Sequence, residues 1–417
     1  MYVCKIQQHT ADSSFPKEKQ YRLKDFLDAH WESYVKSPKA FIRPEVYKAV
    51  SAIRVCRTAK LGIEQYVCEE CGELSEIHHS CKNRFCPTCS WQDTMRWASK
   101  LQYRMFDLKH RHVVFTLPHK LIGLIKQNEG LLLSVLLQVS ADVFKDWMLK
   151  KYGIKPGIIS VLHTYGEKKN SHFHVHMIVS WGGISVTSRR LEEIEGEYVN
   201  YKFLQQKYRS KFEDRLVDLY DREVLKHWFK DRFSFLRFLT EINKKNWHLN
   251  LDPPMSNPLA VIRYIGRYSK RACLSEYKIT KMEGNYIAFE YKDYRNLDFK
   301  GHPIVKELEL HYSKFFPLLF QHVPFPNFRL VRYYGFYATA SRIEEQYLFK
   351  PEDQISESEV IESEGQYVTT DDLRVCSTCN INKTYIYTIF EKDDTGFFNR
   401  QEDRLLQDKA FREQFCA

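Results

Sequence analysis

Residues 157–183 read GIISVLHTYG-EKKNS-HFHVHMIVSWGG. Two blocks rich in β-branched and aromatic residues flank five polar ones, a pattern that predicts a β-hairpin. In the second block His172, His174 and His176 alternate with Phe173 and Val175. Side chains on a strand alternate between its faces, so the imidazoles share one face while Phe173 and Val175 point into the core. Imidazoles about 6–7 Å apart along one strand can converge on a single cation. A carboxylate suits a hard cation such as Mg²⁺ or Mn²⁺, and Glu167, in the turn seven residues before His174, can fold back to supply it. The competing reading is a half-exposed strand with solvated histidines and a turn glutamate in water.

Working outward, RHVVFTLP (111–118) reads as a buried strand ended by Pro118, and Leu131–Lys150 as a core helix. The first 50 residues carry apolar residues at helical spacing, and residues 200–246 are charged and helix-like. LDPPMSNP (251–258) is a breaker that doubles as a helix start, with Asn257 as cap and Pro258 in the first position. That helix runs through LAVIRYIGRYSKR and puts Tyr264 and Tyr268 on one face, among Arg263, Arg267, Lys270 and Arg271. Alone, such a pair reads as an amphipathic stripe. Beside a metal-binding strand it has a second reading, because a tyrosine phenolate can attack a phosphodiester to give a 5′-phosphotyrosine and a free 3′-hydroxyl. A phenol leaves more readily than an aliphatic alcohol, so a DNA 3′-hydroxyl can reverse the linkage.

Cys68-x2-Cys71 and Cys86-x2-Cys89 stand 14 residues apart, close to the spacing of a four-cysteine zinc ribbon, with Cys81 able to replace one member. Cys56, His78 and His79 read as packing residues. Cys376-x2-Cys379 has no second pair nearby. It reads as unliganded thiols in a small appended element rather than half a knuckle completed by distant ligands.

A chain of 417 residues predicts two or three domains. The net charge of +10 is uneven: from Pro351 onward 15 Asp/Glu face 7 Lys/Arg, a net of −8, which leaves +18 on residues 1–350. A basic body with an acidic tail suits a polyanion such as nucleic acid. Eight of the basic residues, Arg84 among them, lie in residues 81–120. The start has no apolar signal region, and no stretch is apolar and long enough to span a bilayer, so a soluble intracellular protein with reduced cysteines is expected.

Taken together, CRTAKLG, CEECG, SCKNRFCPTCS, HVVFTLPHKL, HTYGEKKNSHFHVHMIVSWGG, YIGRYSKR and VRYYGFYA resemble, in this order, the rolling-circle transposases of the IS91 family. These belong to the HUH single-strand endonucleases, with relaxases and replication initiators. The resemblance runs from about Val46 to Ala340. It implies an α+β fold, a central antiparallel sheet flanked by helices and preceded by a zinc-ribbon-like domain. The expected divisions are a helical segment (1–50), a zinc-binding domain (51–100), an HUH domain (105–345) with a helical insertion near 190–250, an acidic linker (351–370) and an appendage (371–417). It implies His174 and His176 as ligands of catalytic Mg²⁺ or Mn²⁺, and Tyr264 and Tyr268 as the two nucleophiles. Glu167, where the family has Gln, is the chosen third ligand, with His172 and His163 as alternatives. Cys68, Cys71, Cys86 and Cys89 would hold structural Zn²⁺. The implied activity is nicking and rejoining of single-stranded or hairpin DNA ends in a prokaryotic cytoplasm, at the nucleoid, with no membrane and no small-molecule substrate. A replication initiator or relaxase of the same chemistry, and a non-catalytic zinc-containing DNA-binding protein, are the rival readings.

Overall fold

The computed structural model describes residues 21–38, 42–244, 247–255, 272–338 and 372–389. Helices α1 (Leu23–Val35) and α2 (Pro44–Arg54) come first, the second with Pro44 at its opening position, where a missing N–H costs nothing. Hairpin β1 (Ile63–Val67) and β2 (Leu74–His78) follows, then α3 (Pro87–Gln102), again opened by proline. Strand β3 (His110–Thr116) leads to α4 (Ile122–Gln127) and α5 (Glu129–Tyr152). The apolar run predicted as a core helix is the middle of α5. Its buried residues recur at helical spacing from Leu132 to Met148, and Gly153 closes it in the left-handed region at φ 68°.

Next come β4 (Ile154–Lys155), β5 (Ile158–Tyr165), β6 (Ser171–Ser180), β7 (Gly182–Ser185) and β8 (Leu191–Glu193). The charged stretch 200–246 holds two helices, α6 (Tyr201–Asp221), capped by Asn200, and α7 (Arg232–Asn243), begun by an Asp231–Ser234 capping box. Strand β9 (His248–Leu251) returns to the sheet. Strands β10 (Ile279–Glu283), β11 (Tyr286–Leu297) and β12 (Pro303–His311) form an antiparallel sheet, followed by α8 (Tyr312–Phe320), β13 (Val331–Tyr334) and β14 (Thr384–Ile389).

The sheet that matters for function has the order β13-β5-β6-β3-β9, and every pairing in it is antiparallel. Mixed α/β architecture with antiparallel sheets is thus as expected. Val113, Phe115, Leu162, Phe173, Val175, Met177 and Leu249 project from one face into a core shared with α5 and α6. Phe173 and Val175 therefore point as their spacing predicts. At one end of the other face, Ile159 and Ile178 pack under Trp97, Leu101, Phe336 and Tyr337. A second core joins α1 and α2 to α8, Ile287 and Phe289. Among the described residues no helix is long and apolar enough to cross a membrane.

Candidate active site

Antiparallel register decides which side chains meet on the open face. His174 lies opposite His163 on one side and Thr116 on the other, while His176 lies opposite Val161 and Val114. Residues paired across antiparallel strands point to the same face. His163, His174 and His176 consequently converge, each offering a ring nitrogen within 4.8 Å of the others. Ring centroids are 4.6 Å apart for His163–His176 and 5.0 Å for His174–His176. His172 lies one step outward, 4.9 Å from His174.

Hydrogen bonds fix the tautomers of the two β6 imidazoles. His174 Nδ1 lies 3.0 Å from the His172 carbonyl, so it carries the proton and Nε2 keeps its lone pair. His176 Nδ1 lies 2.9 Å from His112 Nε2, and His112 Nδ1 lies 2.8 Å from Asp252 Oδ2. With the carboxylate as terminal acceptor, protons sit on His112 Nδ1 and His176 Nδ1, and His176 Nε2 is left as the donor to a cation. Burial, then the neighbouring imidazoles, holds His174 and His176 well below the usual histidine range. His112 is also lowered by burial, which outweighs the opposing pull of Asp252. Neutral imidazoles that meet at one point are a donor set fit for a divalent metal ion.

Glu167 is not part of this group. Its carboxylate binds Lys278 Nζ at 3.1 Å and the Lys292 backbone N–H at 3.2 Å. Burial opposes its charge, but Lys278 and that N–H win and keep it ionised below the usual range. The register slips between His163 and Tyr165, and Lys169 takes up φ 61° in the turn. The turn is pinned there by His322 Nε2 and Gln321 Nε2 on the Lys169 carbonyl. The third side chain brought to the cluster is thus the alternative His163.

A cavity opens beside His163, lined by Arg84, Thr164, Tyr165, Cys273 and His322 among others. Burial lowers the Arg84 guanidinium against the pull of Asp93, yet arginine stays charged at neutral pH. Tyr264, Tyr268, Arg263, Arg267, Lys270 and Arg271 lie outside the described residues. His112 and Asp252 were missed from sequence. The signal was there in part: His110 and His112 repeat the His-x-His period of β6.

The cysteines regroup. Cys68, Cys71, Cys86 and Cys89 do not meet at one point. Cys86 and Cys89 join Cys56 and Cys81, while Cys68 and Cys71 join Cys376 and Cys379. Within the first group Cys56–Cys89 and Cys81–Cys89 are both 3.5 Å between sulfurs and Cys56–Cys86 is 3.9 Å. A tetrahedral zinc with bonds near 2.3 Å separates its sulfurs by about 3.8 Å, whereas a disulfide needs about 2.05 Å. Cys56, read as a packing residue, and Cys81, the alternate member of the quartet, thus stand together with Cys86 and Cys89 in a group that could hold a metal ion. The correction has a physical cause: Cys86 caps α3 and faces the loop after α2, while Cys68 and Cys71 occupy the far turn of the β1–β2 hairpin.

Comparison with known proteins matches two parts of the chain. Residues 26–117 match the family described as "Transposase zinc-binding domain", and residues 157–345 match one described as "Putative transposase". Over 362 residues, 82% of this chain and 89% of the relative, it is 28% identical to "Putative transposase y4qJ" of Sinorhizobium fredii. Over 315 residues, 73% of this chain and 72% of the relative, it is 28% identical to "Transposase for insertion sequence element IS801" of Pseudomonas savastanoi pv. phaseolicola. No solved structure matches the chain.

Proposed function

We propose that this chain, which belongs to the IS91 family of transposases, cuts and rejoins single-stranded or hairpin DNA through phosphotyrosine intermediates. The observation that carries the reading is the convergence of His163, His174 and His176 on one face of an antiparallel sheet. These three would hold a divalent cation, which when bound offsets charge on the phosphate oxygens. Three imidazoles form a softer donor set than two imidazoles and a carboxylate, so Mn²⁺ suits the site better than Mg²⁺.

Tyr264 or Tyr268 supplies the nucleophile. The bond from its phenol oxygen to phosphorus forms as the bond from phosphorus to the 3′ oxygen breaks. The phenol gives up its proton and the 3′ oxygen gains one. The ester formed retains the reactivity of the diester it replaces, and a 3′-hydroxyl on a second strand can displace the tyrosine without an external energy source. A second tyrosine lets one strand stay tethered while the other is cut. Arg84, beside the cluster, and the basic residues around Tyr264 and Tyr268 would hold the phosphate backbone, with binding that weakens steeply with salt. Such a substrate places the protein at the nucleoid.

Incubation with labelled single-stranded DNA and Mn²⁺ tests the proposal. A band that resists denaturation, absent from the Tyr264→Phe/Tyr268→Phe double variant, is the expected result. Cutting that survives the double substitution would point to a hydrolase, and metal-independent binding without any cutting to a DNA-binding protein.

A further inference from the structure

We infer that Cys68, Cys71, Cys376 and Cys379 hold a zinc ion of their own, which fastens the C-terminal segment onto the β1–β2 hairpin. Cys376 and Cys379 lie outside the residues that match the zinc-binding family. The inference is independent of the proposed DNA chemistry.

The two Cys-x2-Cys turns are built alike, although 303 residues separate Glu73 from Cys376. The N–H of Cys68 donates to the carbonyl five residues on, that of Glu73, at 2.9 Å, and the N–H of Cys376 does the same to Ile381 at 2.8 Å. Four residues past the first cysteine, the N–H of Gly72 returns to the Cys68 carbonyl at 2.8 Å, and that of Asn380 to Cys376 at 3.0 Å. Gly72 and Asn380 are both left-handed, at φ 73° and 55°. In the second turn the N–H of Cys379 also donates to the Cys376 sulfur at 3.3 Å. These are two zinc knuckles, whose N–H groups face the sulfurs because a thiolate is the species to be stabilised. A thiol needs no such donors.

The knuckles face each other. Cys71 and Cys376 sulfurs are 3.5 Å apart, and all four lie within 4.8 Å, a tetrahedral spacing and not a disulfide. The surroundings support the closure. Strand β14 adds to the edge of β1 from Ile63↔Ile389 to Val67↔Thr384. Glu73 accepts from the Cys376 thiol, from Ser377 N and Oγ, and from the buried Lys383 ammonium at 2.9 Å. When the ion displaces the thiol proton, Ser377 and Lys383 remain to hold that carboxylate.

Native mass spectrometry of the full chain should count two cysteine-held zinc ions, where Cys56, Cys81, Cys86 and Cys89 alone would hold one. Cys376→Ser/Cys379→Ser should lose one ion, Cys68→Ser/Cys71→Ser should lose one, and the quadruple variant should lose no more than either. A measurement that needs no variant is alkylation of the zinc-loaded wild type during stepwise chelation, mapped by peptide mass. Cys376 and Cys379 should be protected at the start and become reactive together with Cys68 and Cys71. No loss of zinc in Cys376→Ser/Cys379→Ser, or alkylation of Cys376 and Cys379 in fully loaded protein, would overturn the assignment.

Discussion

His112 Nε2 lies 2.9 Å from His176 Nδ1, and the Asp252 carboxylate 2.8 Å behind it fixes which nitrogen carries each proton. The arrangement reaches from β3 through β6 and from the segment after β9, so the sheet itself aligns the imidazole lone pairs. A ligand oriented in this way binds more tightly than one free to turn. Asp252→Asn and His112→Phe should each weaken Mn²⁺ binding roughly 10–100-fold, as read by titration calorimetry. Unchanged affinity in both would leave the orientation to backbone packing alone.

His163 and Glu167 make opposite predictions. His163→Ala removes one of the three converging imidazoles proposed to hold the metal and should abolish measurable Mn²⁺ binding at micromolar metal. Glu167→Gln should leave metal affinity unaltered and cost at most about 1 kcal/mol of stability through its half-exposed contact with Lys278. Parallel titration and urea unfolding of the two variants separate the roles.

Gly335 offers a test of the fold around the site. It sits at φ 62°, and a Cβ there would run into the Pro156 carbonyl, just ahead of β5. Gly335→Ala should destabilise by about 2–4 kcal/mol in chemical unfolding, since neither the backbone angle nor the contact can relax cheaply.

Two buried groups set opposite ends of the pH response. His110, bonded to the Leu108 carbonyl and the Tyr337 hydroxyl, is pushed down to about 4 by burial. The unfolded chain takes up that proton first, so the stability it contributes is complete above pH 6.5 and is lost as pH falls toward 4, by about 3 kcal/mol at most. The acid slope should shrink in His110→Gln.

Lys169, 4% exposed, is brought down to about 8 by burial. Between pH 8 and 10.5 the unfolded chain holds the extra proton, so stability should climb with pH over that window, by something on the order of 3 kcal/mol. Lys169→Met should remove that climb in unfolding titrations.

What the sequence made legible was local. The alternation of His172, His174 and His176 with Phe173 and Val175 is a property of one strand, and the hairpin and the α5 core helix follow from patterns a few residues long. What stayed hidden depends on register and on distant approach. His163 meets His174 only through the β5–β6 pairing, and the slip after His163 leaves Glu167 to Lys278. The four nearest cysteines formed a plausible quartet by spacing, yet each pair finds its partners elsewhere, one of them in the turn that leads into the last described strand. Asp252, inside a segment read as a breaker, gains its role only once β9 lies beside β3.

The pairing of β1 with β14 also has a temporal side. During synthesis, β1 and β2 leave the ribosome long before the strand that flanks them exists. Their outer edge stays open until Thr384–Ile389 has been made. Products terminated before β14 therefore carry an unpaired strand edge and two unmatched thiols, features that mark them for aggregation or degradation, whereas β14 covers that edge once it is made.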